Sequence, residues 1–162
     1  MMLKFKSNPL VLKYSLVVYS GELNDKKIQV SDKSDLLTSC LVTGFPYQYL
    51  DTANGPLQIF EKLIRKAIPV RRLGSAALDL CWTAAGRFDG FYEHKLQAWD
   101  SAAGFLIVEE AGGKVTDLQG NKYTPYNPGI IATNGNNTIF SFNVKSVTFL
   151  VASVTSPNML FW

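Results

Sequence analysis

Apolar positions in this chain fall into short runs divided by glycine, proline and small polar residues, and the spacing within each run predicts its element. "LVLKYSLVVYSGE", residues 10–22, is rich in β-branched and aromatic residues and reads as a strand ending at Gly21. "LNDKKIQVS" follows as a turn and a short strand in which Ile28 and Val30 alternate with polar neighbours. "LLTSCLVTGFPY" is another β-type run, stopped by Gly44 and Pro46. A loop, "QYLDTANG", leads to "PLQIFEKLIRKA", where Leu57, Phe60, Leu63, Ile64 and Ala67 recur at helical spacing behind a first-turn Pro56. "IPVRRLG" is a short strand running into a glycine turn. "SAALDLCWTAAGR" reads as a helix with Ser75 as N-cap, Leu78, Cys81, Trp82 and Ala85 on one face, and Gly86 as its stop. "FDGFYE" is a strand closing on Glu93, and a further helix runs from about Asp100 to Ala111, stopped by Gly112 and Gly113. "KVTDLQGNKY" predicts a strand and turn, and "GIIATNG" a buried strand. Strands alternating with helices indicate an α/β layered domain.

Composition narrows this picture. Apolar residues make up 47% of the 162 positions and charged residues 18%, as in a globular domain with a real core. The net charge of +3 is mild and the basic residues are scattered, so the expectation is no nucleic-acid surface. Cys40 and Cys81 fit neither a disulfide framework nor a metal knuckle, and a reducing, cytoplasmic setting is expected. Lys13 interrupts the apolar run near the start, which argues against a secretory signal. No uncharged run reaches the roughly 18 residues of a membrane helix, so no membrane partner is expected. Residues 138–162 carry one charge, lack helix signals and read as β-prone.

Three places carry candidate chemistry. Asp100 lies between Trp99 and an apolar helix. A carboxylate there is either an N-cap, favoured by the helix dipole, or a rigidly held anion suited to a hard cation such as Mg²⁺. "RRLGSAALD" places a tight turn at a helix start, so that amides of Gly74, Ser75 and Ala76 face an oxygen-bearing ligand or simply begin a capped helix. Glu93 stands at a strand end, where α/β proteins often meet polar substrate groups, or where a carboxylate is merely solvated. Other residues read as structural. His94, the one histidine, has no partners at ligand spacing and is expected at the surface; no Gly-x-Ser-x-Gly elbow supports a serine hydrolase. Cys81 and Trp82 read as core, Arg71 and Arg72 as surface charge, Glu109 and Glu110 as a solvated face. "AGGKV" is a helix stop without Walker spacing.

"LGSAALDLCWTAAGRFDGFYE", "AWDSAAGFLIVEEAGGKVTDLQG" and "GIIATNG" occur in that order, and over about residues 17–135 the chain resembles the C-terminal half of the inositol monophosphatase family. The resemblance implies half of an α/β/α/β/α layered sandwich, with a mixed sheet flanked by helices. It implies Mg²⁺-dependent hydrolysis of a phosphomonoester such as myo-inositol 1-phosphate, and a homodimer. Asp100 matches the metal-binding Asp of the family's "WD" motif, and Glu93 the glutamate that meets substrate hydroxyls. Gly74, Ser75 and Ala76 match the Gly-Thr-Ala turn beside the inositol ring, with Ser75 in place of Thr. Of the motifs that the family carries in its first half, the "DPIDGT"-like one does not occur in the sequence, and no adjacent acidic pair precedes residue 50; the one such pair, Glu109 and Glu110, lies inside the helix after Asp100. One Asp cannot fix two ions roughly 3.5–4 Å apart. The expectation is therefore a truncated phosphatase with little activity alone, needing a complementing N-terminal half; the alternative is a non-catalytic binding or partner module. On this reading residues 17–137 form the family domain, with 1–16 and 138–162 as unassigned ends.

Overall fold

A five-stranded mixed sheet carries the described part of the chain, a computed structural model covering residues 3–4, 21–46 and 55–136. Most of the strand expected before Gly21, the loop from Gln48 and the segment 138–162 lie outside those residues. A small antiparallel sheet comes first: β1 (Leu3–Lys4), β2 (Glu22–Leu23) and β3 (Lys26–Lys27). The turn joining β2 to β3 places Asn24 and Asp25 at φ 53° and 61°, the left-handed pair a two-residue hairpin requires. Ile28 is buried and Gln29 exposed as the alternation predicts, although the stretch leaves the ladder after Lys27.

The main sheet runs β5–β4–β6–β8–β7. Its strands are β4 (Leu41–Thr43), β5 (Val70–Arg71), β6 (Gly90–His94), β7 (Lys114–Thr116) and β8 (Gly129–Thr133). β5, β4 and β6 are parallel, while β8 and β7 join antiparallel. Three helices flank it: α1 (Pro56–Arg65), α2 (Ala76–Ala84) and α3 (Ala98–Glu110). Alternate strand residues feed two cores. Val42, Phe91, Ile130 and Ala132 meet α2 and α3 through Leu80, Ala84, Ile107 and Val108. Leu41, Tyr92 and Ile131 meet α1 through Ile59 and Leu63 on the other face. Burial of both faces explains why "GIIATNG" reads as a continuous apolar run.

Several expectations shift here. "LLTSC" begins with a 3₁₀ turn, Leu36–Thr38, because Asp35 Oδ1 accepts the Leu37 amide at 3.0 Å; the strand starts only at Leu41. In α1 the buried side is Pro56, Ile59 and Leu63, leaving Leu57 and Ile64 exposed, and Ala67 leaves the helix at φ 57°. In α2 the buried side is Asp79, Leu80, Thr83 and Ala84, one position round from the expected Leu78 face. The helix is apolar almost all round, so its periodicity does not orient it. α3 begins at Ala98 rather than Asp100.

α2 and α3 approach closely at Gly104. A Cβ there would lie 2.6 Å from Leu80 Cδ1 and 2.7 Å from Leu80 Cβ. Gly104→Ala should therefore cost about 1–3 kcal/mol of unfolding free energy by denaturant titration, despite the better helix propensity of alanine.

The N-terminal loop is clasped to the sheet by Asp89. Its carboxylate accepts Ser31 Oγ at 2.6 Å, Lys33 Nζ at 3.3 Å and the Cys40 amide at 2.6 Å. Asn134 completes the clasp by donating to Ser31 Oγ at 3.0 Å and to the Lys33 carbonyl at 2.7 Å.

Candidate active site

Glu93 ends up at the centre of a charged cluster because β6 lies beside β4 and beneath α2. The register Thr43↔Tyr92 places Gly44 next to Glu93 at the strand ends. The Glu93 carboxyl is nearly buried, and an added Cβ on Gly44 would fall 2.3 Å from its Oε1 and 2.4 Å from Oε2. Glu93 accepts no hydrogen bond among the described residues. Burial pushes its pKa up to about 7, with the charges of Asp79 and Asp100 adding to the rise and Arg72 opposing it. Asp79 of α2, Asp100 of α3 and Arg72 after β5 are thus close enough for their charges to act on one carboxyl.

Asp79 is 1% exposed, and neither of its oxygens has a hydrogen-bond partner among the described residues. Burial raises its pKa to about 6, since desolvation disfavours the anion. No motif in the sequence marks this residue as part of a site. The available signal was its place four positions from Thr83 and one from Leu80, on what proves to be the inner face of α2. Arg72, expected to be plain surface charge, is exposed but stacks its guanidinium 4.5 Å over the Phe45 ring and acts on Glu93.

Asp100 is the third residue of α3. Its Oδ2 accepts the Gln97 amide at 2.9 Å, so it closes the helix start from inside the first turn instead of standing as the N-cap. Its other oxygen accepts nothing among the described residues and the side chain is half-exposed. The helix start is anchored next door: Tyr123 OH donates to buried Ser101 Oγ at 2.7 Å, and the Tyr123 ring meets Phe105 edge-on at 5.5 Å. Asp100 is thus a carboxylate on a rigid mount with one oxygen to spare.

The turn before α2 lies between Arg72 and Asp79, both of which act on Glu93. Gly74 takes φ +89°, Ser75 occupies the N-cap position and Ala76 opens the helix. The Ser75 hydroxyl makes no capping bond, which leaves it available to a ligand. The amides of Gly74, Ser75 and Ala76 donate to no described residue. Of the expectations for His94, Glu109 and Glu110, only the exposure of Glu109 holds. His94 is half-buried with Nδ1 shut away from solvent, and burial together with Lys95 lowers its pKa. Glu110 is half-buried with one oxygen unpartnered, while Glu109 is exposed. Among the described residues, no three His, Cys, Asp or Glu side chains stand where they could hold one metal ion. No described helix is long and apolar enough to cross a membrane. A cleft of about 380 Å³ lies at the hairpin, lined in part by Lys26, Lys27 and Arg87, and none of the residues around Glu93 belongs to it.

The sequence profile of the inositol monophosphatase family matches residues 10–148. This chain belongs to that family. An inositol monophosphatase from Anabaena (Nostoc) sp. PCC 7120 superposes with a TM-score of 0.69 at 41% identity, covering 77% of this chain and 48% of that one. Phosphatase IMPL1, chloroplastic, of Arabidopsis thaliana is 39% identical over 123 residues, which are 75% of this chain and 33% of the relative. Nus factor SuhB of Pasteurella multocida is 46% identical over 100 residues, 62% of this chain and 38% of the relative. The chain spans less than half the length of each of these inositol monophosphatase relatives. The likeness confirms the layered α/β fold with a mixed sheet flanked by helices.

Proposed function

We propose that this chain supplies the polyol-binding side and one metal ligand of a Mg²⁺-dependent phosphomonoesterase acting on a substrate such as myo-inositol 1-phosphate. What supports the reading is that Asp100, Asp79 and Arg72 all act on the Glu93 carboxyl, with the Gly74–Ser75–Ala76 turn lying between Arg72 and Asp79 along the chain, in a family whose members include a named inositol monophosphatase and a named phosphatase. Glu93 would accept hydrogen bonds from ring hydroxyls when ionised, and the turn amides and Ser75 hydroxyl would donate to ligand oxygens. Asp100 offers its free oxygen to the cation, which takes one or two carboxylates with waters and substrate phosphate completing the shell. When bound, such ions neutralise phosphoryl charge and lower the pKa of the attacking water. The remaining ligands come from chain outside these 162 residues, whether continuous with them or not, since no Asp-Pro-x-Asp motif occurs in the sequence and no adjacent acidic pair precedes residue 50.

Phosphate release from myo-inositol 1-phosphate, measured against Mg²⁺ concentration, tests this. The 162-residue chain alone should release none above background. Adding a fragment that carries the family's two acidic motifs should restore release, and Asp100→Asn should abolish the restored activity while changing stability by about 1 kcal/mol or less. Release that survives Asp100→Asn would remove the metal role of Asp100. Binding of the phosphomonoester with no turnover in any combination would favour a non-catalytic binding module.

A further inference from the structure

Glycine at position 44 needs explaining, because its backbone does not require one: Gly44 is absent from the residues with positive φ. What the position lacks room for is a side chain. A Cβ there would meet Oε1, Oε2 and Cδ of Glu93 at 2.3, 2.4 and 2.5 Å, well inside any tolerable contact. The Glu93 carboxyl therefore lies flat on the Gly44 backbone, in the space a methyl group would fill. It has no hydrogen bond among the described residues to hold it there. Charge alone does not anchor it either, since Asp79 from α2 and Asp100 from α3 repel it and only Arg72, beyond β5, attracts it.

We propose that Gly44 is a positioning residue for Glu93: the missing side chain at the end of β4 forms the seat that aims this carboxyl at the ligand. The use of Glu93 as a polyol contact rests on the function proposed above; the seat itself does not. The physical consequence is specific. Any side chain at position 44 pushes the carboxylate off its seat, and because the displaced atoms end a flexible side chain, the fold yields at Glu93 before it yields in the backbone. Moving an acceptor by an ångström is enough to cost most of what a well-placed hydrogen bond contributes.

The test is a cycle of Gly44→Ala and Glu93→Ala, singly and together, in the full chain, with two readouts. Calorimetry measures affinity for myo-inositol 1-phosphate in the presence of Mg²⁺. NMR of ¹³C-labelled carboxyl carbons follows the titration of Glu93. Gly44→Ala should weaken binding on the order of 10- to 100-fold. It should weaken it no further once Glu93→Ala is present. The Glu93 signal should titrate in Gly44→Ala below the about 7 of the wild type, as the carboxyl moves towards water. Glu93→Asp, one methylene shorter, should clear the added methyl and recover part of the affinity lost to Gly44→Ala. A Glu93 signal that titrates alike with and without Gly44→Ala overturns the seat, as does an equal loss of affinity in both Glu93 backgrounds. A shifted signal with measurable but unchanged ligand binding upholds the seat and removes Glu93 from the polyol contacts.

Discussion

Asp89→Ala should be the most damaging single substitution in the described part of the chain, lowering the unfolding free energy by about 3–5 kcal/mol. Asp89 is 3% exposed and is the common acceptor for three donors from the loop before β4: Ser31 Oγ, Lys33 Nζ and the Cys40 amide. Hydrogen bonds to a charged partner contribute about 1.5–3 kcal/mol each, and removing the partner leaves the half-buried Ser31 hydroxyl and Cys40 amide without their acceptor. The Lys33 bond adds the least, because that side chain is 46% exposed and screened by solvent. The loss also spreads, since Asn134 holds Ser31 and the Lys33 carbonyl in the same clasp. A typical domain is stable by about 5–15 kcal/mol, so Asp89→Ala should leave a measurable unfolded fraction at ordinary temperature. Urea titration followed by tryptophan fluorescence reads this directly. An Asp89→Asn variant keeps an acceptor oxygen and should lose clearly less; equal losses in both would show that the clasp is not what holds the loop.

The second large effect is on pH. Asp79 and Glu93 should make stability fall as pH rises from about 4 to about 7, the reverse of ordinary acid denaturation, against an opposing rise from His94, whose pKa is lowered by burial. Asp79 and Glu93 are carboxyls whose folded-state pKa values are raised by burial to about 6 and about 7. Between their unfolded values and these raised ones the folded state binds more protons than the unfolded chain. Their contribution is therefore complete below the unfolded pKa values and disappears as pH climbs through the folded ones. A raised pKa of this size corresponds to a change on the order of a few kcal/mol per group. Asp79→Asn removes one titrating group and one charge facing Glu93, so it should flatten the dependence and stabilise the chain at pH 8 relative to the wild type. Thermal unfolding at a series of pH values checks this; a wild-type curve rising monotonically from pH 4 to pH 8, unchanged in slope by Asp79→Asn, would show that the buried carboxyls do not set the pH dependence.

The element order was legible because punctuation and periodicity agree in this sequence. Pro56 opens α1, Gly86 follows α2, and Gly112 and Gly113 end α3, each for a local reason that needs no tertiary contact. Glu93, Asp100 and the Gly74 turn were found as candidates because short signatures hold them in fixed positions relative to a strand end or a helix start. Orientation was less legible. α2 has apolar residues on nearly every side, so the choice between Leu78 and Leu80 as the inward residue was open, and with it the fate of Asp79. Arg72 likewise offers nothing in its own neighbourhood that separates a surface arginine from one stacked on Phe45 beside a carboxyl. His94 was misplaced for the same reason: strand position sets its alternation, but the covering elements decide whether the ring meets water.

By itself the sequence determined which segments become strands and helices, where most of them stop, and which family the chain belongs to, because these depend on residues close together along the chain. Tertiary structure alone decided which side of α2 faces the sheet, that Gly44 makes room for Glu93, and that the charges of Asp79, Asp100 and Arg72 act on that carboxyl. Those outcomes depend on strand order β5–β4–β6–β8–β7, which brings residues 44, 72, 79, 93 and 100 together across distances no local pattern records. Burial and charge act on whatever is adjacent in space, so the properties of this site became readable only once the sheet had set its neighbours.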